Sequence, residues 1–187
     1  VSYPDVATSG QLVQWKSWDQ AFTTDVTIRW ENHGWVAEGV ATRERVEFVI
    51  RMNAAWKMSQ LLLFRDLPEP DLWLGTDGSG RWGEINGAHR PELDGCLDVE
   101  LACSPFTATL PIRRLGLVDG FAAEILVAVI DVDTLQVTPQ RREYTRLSVD
   151  TWTCRDSQTG ELTELAVDEF GIVRDVDGKW RRLDQAQ

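Results

Sequence analysis

Asp98 and Glu100 stand two apart within Gly95–Leu115, a stretch that gathers most of the chain's chemically suggestive side chains. On a strand, positions i and i+2 share a face and lie ~6.6 Å apart along it, near the carboxylate spacing of glycoside hydrolases. A solvated strand face, or ion pairs with Arg113 or Arg114, would use the same two residues without any chemistry. Arg113 and Arg114 are adjacent, so on a strand they point to opposite sides and only one can meet a ligand. There a guanidinium would grip a carboxylate or phosphate through two parallel hydrogen bonds. It could equally bridge to Asp98 or Glu100 across strands. Between these pairs runs Ser104-Pro105-Phe106-Thr107-Ala108-Thr109-Leu110-Pro111, too rich in proline for a regular central strand. Thr107 and Thr109 present hydroxyls from one side of it, as a rigid sugar-binding loop would, or as a structural corner would.

Aromatic residues supply the second set of candidates. The chain has 9 tryptophans, a residue suited to burying a large apolar body while its one N–H finds a partner. Trp82, between Arg81 and Gly83 after a glycine-rich turn, is the tryptophan expected to face a ligand, followed by Trp15 and Trp18; Trp30, Trp56 and Trp152 are expected in the packing. Tyr144 has Arg142 and Arg146 two residues to either side, a same-face row that could form a cation–π ladder or one wall of a polar site. No GxSxG elbow, phosphate-binding loop or dinucleotide fingerprint occurs. His33 and His89 are isolated in turn-like sequence, so neither a metal site nor a bound cofactor is expected.

Composition narrows the partners. The net charge of −11 would repel a polyanion, and the basic residues occur only in short pairs, which argues against nucleic acid. No apolar run approaches the ~20 residues of a membrane-spanning helix. The opening residues VSYPDVATSG have neither the basic nor the apolar region of a signal peptide, which leads us to expect a cytoplasmic protein. Three cysteines cannot all pair, and on one strand Cys96 and Cys103 would lie ~23 Å apart, far beyond disulfide reach.

Turn signals divide the chain at short intervals: Asn32-His33-Gly34, Asp77-Gly78, Asn86-Gly87, Asp94-Gly95, Asp119-Gly120, Thr159-Gly160, Phe170-Gly171 and Asp177-Gly178. Between them apolar residues alternate, as in Val26, Ile28 and Trp30, in Val46, Phe48, Ile50 and Met52, and in Leu165 and Val167. No window of twelve or more residues shows convincing helical amphipathy. The pattern predicts one all-β domain, mostly antiparallel, of about a dozen strands. Ala122–Val132, apolar on both faces, is expected to be a central covered strand, and Leu61–Phe64 a shorter one. The hairpins around Gly160 and Gly171 are expected to close the sheet, and Leu67-Pro68-Glu69-Pro70-Asp71 to kink between strands.

These residues also resemble a known bacterial family, the glycolipid-binding proteins formerly classed as a domain of unknown function. The likeness is carried by the block GCLDVELACSPFTATLPIRRL and extends through most of the chain. It includes the early segment from Trp15 to Trp18, the Ala-Glu-Gly after Trp35, and the Asp77-Gly78-Ser79-Gly80-Arg81-Trp82 turn. It continues in Leu135 to Pro139, Tyr144-Thr145-Arg146-Leu147, and Val167-Asp168 ahead of Gly171-Ile172-Val173. The chain departs from the family's usual residues at Ala108, commonly Asn, at Glu143, commonly Gln, and at Asp175-Val176, commonly Tyr-Pro.

The resemblance implies a strongly twisted antiparallel sheet, a spiral β-roll or half-barrel with an apolar concavity. It implies binding of a glycolipid or other long-chain amphiphile, for which the residues singled out above, Trp82, Asp98, Glu100, Thr107, Thr109, Arg113, Arg114 and Tyr144, are the candidate ligand-binding residues. Two other readings stay open at this point. One is a hydrolase or isomerase working through Asp98 and Glu100, and the other is an interaction module that binds a protein partner or a second copy of itself.

Overall fold

The computed structural model describes residues 2–42, 45–66 and 68–183. They form fourteen strands: β1 (Gln11–Ser17), β2 (Thr23–Glu31), β3 (Gly34–Ala41), β4 (Val46–Asn53), β5 (Met58–Phe64), β6 (Leu72–Thr76), β7 (Trp82–Gly83), β8 (Cys96–Leu101), β9 (Ala122–Ile130), β10 (Val137–Arg146), β11 (Thr151–Asp156), β12 (Leu162–Val167), β13 (Val173–Val176) and β14 (Trp180–Arg182). All belong to one sheet in the order 7-6-5-4-3-2-1-14-13-12-11-10-9-8. Two meanders therefore run outward from a central seam where β1 pairs with β14. The expected alternation holds where it was clearest: Val46, Phe48, Ile50 and Met52 are all buried, as are Val26 and Ile28. Trp30 leaves the pattern, 37% exposed and set edge-on against Trp35.

Several expectations need correction. The sheet is mixed, because β8 and β9 run parallel. Parallel neighbours need a crossover connection, usually helical, and the chain between them supplies one. A 3₁₀ turn (Pro105–Ala108) leads into helix α1 (Thr109–Leu115), where a rigid loop or a structural corner was expected. Pro105 opens the turn and Pro111 sits in the first turn of α1, where a missing N–H costs no hydrogen bond. Gly116 ends the helix in the left-handed conformation at φ 56°. Seven residues are too few for helical periodicity to stand out in the sequence. As a consequence Arg113 and Arg114 lie on a helix, not on a strand.

The strand β9 is next to an edge rather than central, and its first half is partly open to solvent. In β5, Leu61 and Leu63 are buried while Leu62 and Phe64 are only half-buried, an ordinary alternating strand. The terminal hairpins join the chain's two ends at the seam and do not close the sheet, whose edges are β7 and β8. Those edges nevertheless touch: Gly95 N–H donates to Gly80 O at 2.9 Å, and Trp82 Nε1 donates to Cys96 O at 2.8 Å. The contact is too brief to make a ladder, so the roll is pinned without becoming a barrel. Leu67 lies outside the described residues, and residues 68–71 form a bent link between β5 and β6.

Inside the roll the 3₁₀ turn and α1 act as a plug. Phe106, Leu110 and Ile112 are wholly buried, and Thr109 Oγ1 accepts a hydrogen bond from Val173 N–H at 3.1 Å. A single apolar core runs from Val6 to Trp180 around this plug.

Candidate functional site

The plug does not fill the roll. A cavity of about 750 Å³ lies between it and β9–β13, and it is bounded at one end by the β1–β2 and β13–β14 turns. Its apolar wall includes Phe22, Val99, Leu101, Pro105, Ala108, Val127, Leu165, Val176 and Trp180. Its polar wall includes Asp19, Glu100, Arg142, Asp156, Glu161 and Lys179. Alternation in β10–β12 explains the mixture, because each strand turns a short or polar residue inward here: Arg142 and Tyr144, Cys154 and Asp156, Thr163 and Leu165.

An ion-pair cluster organises the polar wall. Arg142 gives Nε and Nη2 to the two oxygens of Glu100, each at 2.9 Å, and its Nη1 lies 3.0 Å from Asp156. Gln140 Oε1 accepts a further bond from Nη2 at 2.9 Å. Burial acts against the Arg142 charge, but the carboxylates hold its pKa above the ordinary arginine value. Burial pushes the Asp156 carboxyl up, yet N–H donors from Thr159 and Gln158 together with Arg142 bring it below the usual range. Lys179 Nζ reaches Glu161 at 2.7 Å and holds that carboxyl low.

Three of the eight candidates line this cavity. Glu100 does so through the pair just described. Thr107 is buried, donating to Ser104 O at 3.2 Å and accepting from Leu101 N–H at 3.3 Å, so its hydroxyl also shapes the plug. Tyr144 is 3% exposed and beside Cys154, and burial raises its pKa well above the ordinary phenol value. The Cys154 thiol, also in the wall, is pushed up to about 11 by burial, which makes it a poor nucleophile near neutral pH.

The other five are placed elsewhere. Trp82 is 1% exposed and spends its N–H on Cys96 O, so it pins the two sheet edges. Thr109 anchors α1 to β13. Arg113 is stacked on Trp56 at 4.0 Å and donates to Pro4 O, Phe170 O and Asp5, tying the N-terminal segment to the β12–β13 turn. Burial draws its pKa down to about 10. Asp98 is fully buried against Arg114, with Nη2–Oδ2 at 2.6 Å. Burial pushes the Asp98 carboxyl up and Arg114 opposes that push. Arg114 borders a separate hollow of about 240 Å³ with Lys57 and Leu97. Asp98 and Glu100 therefore do not share a cavity, and each is held by its own arginine.

The row Arg142-Tyr144-Arg146 does occupy one face of β10, but it is buried rather than on the surface. Arg146 belongs to the far end of it, over the rings of Tyr3 at 5.3 Å and Trp152 at 5.8 Å. Sequence reasoning missed Trp180, Asp156, Glu161 and Lys179. Trp180 did carry a signal, since it follows the Asp177-Gly178 turn much as Trp82 follows Gly78 and Gly80. Two departures from the family's usual residues, Ala108 and Val176, lie on the cavity wall. Among the described residues no group of three or more His, Cys, Asp or Glu could hold a metal ion, and no helix is long and apolar enough to cross a membrane.

Comparison with known proteins gives two findings. The sequence profile of the family described as "Putative glycolipid-binding" matches residues 12–182. The chain also resembles a crystal structure of a DUF1089 family protein from Pseudomonas aeruginosa, with a TM-score of 0.73 and 29% identity over 98% of both chains. No functionally curated protein matches. The chain belongs to the family described as glycolipid-binding.

Proposed function

From this family membership and the cavity together, we propose that the protein binds an amphiphile of the glycolipid type. The long-chain portion lies along the wall formed by Val99, Leu101, Val127, Leu165 and Val176, and the headgroup meets the rim of Glu100, Arg142, Asp156 and Lys179. The observation that carries this reading is one continuous hollow of about 750 Å³ that joins an apolar wall to a charged one. Small-molecule sites span roughly 300–1,000 Å³. Each buried CH₂ contributes ~0.8 kcal/mol, so a ten-carbon tail supplies roughly micromolar affinity before any headgroup contact.

Native mass spectrometry of freshly purified protein, followed by lipid extraction, tests the proposal directly; an amphiphile of defined mass is expected. Titration with decyl glucoside supplies the quantitative arm. Ala108→Trp places an indole in the hollow and should weaken that binding by about tenfold or more, a loss of roughly 1.4 kcal/mol, without lowering the melting temperature. Equal binding by this variant and the unaltered protein would remove the cavity from the mechanism. No binding by either would sink the proposal.

A further inference from the structure

The charges lining the cavity do not cancel. Among the described residues, the carboxylates of Glu100, Asp156 and Glu161 share two lining cations, Arg142 and Lys179. Both cations are already engaged: Arg142, 7% exposed, by Glu100 and Asp156, and Lys179 by Glu161. An entering anion would have to break one of these pairs inside a field that remains negative, whereas an entering cation breaks none. Asp19 is held at the rim by Ser17 Oγ at 2.6 Å and Ala21 N–H at 3.1 Å.

Trp18 and Trp180 stand at the charged end, and indole faces attract cations. One face of Trp18 is covered by Arg181 at 3.7 Å, and Arg181 is not among the lining residues.

We propose that the cavity sorts amphiphiles by headgroup charge, taking an ammonium-bearing head ahead of a neutral one and turning away a carboxylate or phosphate. This rests on the amphiphile-binding function proposed above and adds the chemical class of the head.

Three probes with the same ten-carbon chain test it: decylamine, decyl glucoside and decanoate, each below its micelle-forming concentration, titrated calorimetrically into the full chain at low salt. Decylamine should bind about tenfold or more tighter than decanoate, with the gap closing as salt is added. Glu161→Gln releases Lys179 and should narrow the gap by about threefold. Decanoate binding as tightly as decylamine, with decyl glucoside also bound, would overturn the charge preference and leave amphiphile binding standing. Failure of all three to bind would overturn both. A ranking that persists in Ala108→Trp, or a gap unmoved by Glu161→Gln, would assign the preference to the protein's net charge and overturn the cavity as its source.

Discussion

Strands β2–β6 and strands β10–β13 are both antiparallel meanders with alternating inward side chains, yet the first run borders a hollow of about 240 Å³ at Met58 and Thr76 and the second one of about 750 Å³. In the first run the inward positions carry bulk. Phe48 lies so close over Gly39 that a Cβ there would come 2.0 Å from its ring. Trp35 and Trp56 pack at 5.4 Å, and Arg113 continues the stack at 4.0 Å over Trp56. In the second run the positions facing the cavity are Arg142, Tyr144, Cys154, Thr163 and Leu165, and the plug stands off from them. Of these, Arg142 is tied into ion pairs, and Cys154, Thr163 and Leu165 are smaller than the rings of the first run. The contrast shows that strand alternation fixes which face is inside, while side-chain volume and the crossover plug decide whether that inside is filled.

Truncation tests the contrast most strongly. Phe48→Ala would leave an enclosed void and should cost about 3–5 kcal/mol in urea unfolding, whereas Leu165→Ala only enlarges a space that already exists and should cost about 1–2 kcal/mol. Equal losses would mean that the two halves are packed alike. Next in size, Gly39→Ala forces the Phe48 ring out of its seat, with an expected loss of about 1–3 kcal/mol. Part of that loss should return in the double variant with Phe48→Leu, and a purely additive result would show that the close approach is not what Gly39 is for.

The smallest effect asks how dry the hollow wall is. Burial pushes the Cys154 thiol up to about 11, against 9.0 for an ordinary thiol. Between those values the native state keeps a proton that the unfolded state has lost, so stability falls as pH rises from about 9 to 11 and is unaffected below that window. The share of Cys154 at pH 10 is about 1 kcal/mol. Comparing urea unfolding at pH 8 and pH 10, Cys154→Ala should lose about that much less than the unaltered protein. An identical loss in both would mean that the wall around Cys154 is wet.

Much of the fold was legible from the residues. The inward sets of β2 and β4 and every glycine turn named from the sequence follow from local rules, because a strand's period of two and a turn's positive φ are properties of a few adjacent residues. The crossover was not legible. Helix α1 has seven residues and two prolines precede its second turn, so it mimics a loop in the sequence. That one misreading displaced two candidates, since Arg113 and Arg114 on a helix reach different neighbours from those a strand would offer. Trp82 lies away from the cavity for another reason: a tryptophan after a glycine turn marks a buried anchor or a ligand platform equally well, and here its N–H is bonded to Cys96 O. For Glu100 and Tyr144 the residue types and spacing led to the cavity wall, while Asp98 required the position of Arg114 to be known.

By itself the sequence determined the all-β class, the inward faces, the turns and the family signature, because each depends on chemistry within a few residues along the chain. The tertiary structure alone decided that β8 and β9 run parallel, that the plug leaves about 750 Å³ beside β9–β13, and that Arg142 draws Glu100 and Asp156 together. Those outcomes depend on groups far apart in the chain, brought together by the pairing of β8 with β9, β9 with β10 and β10 with β11.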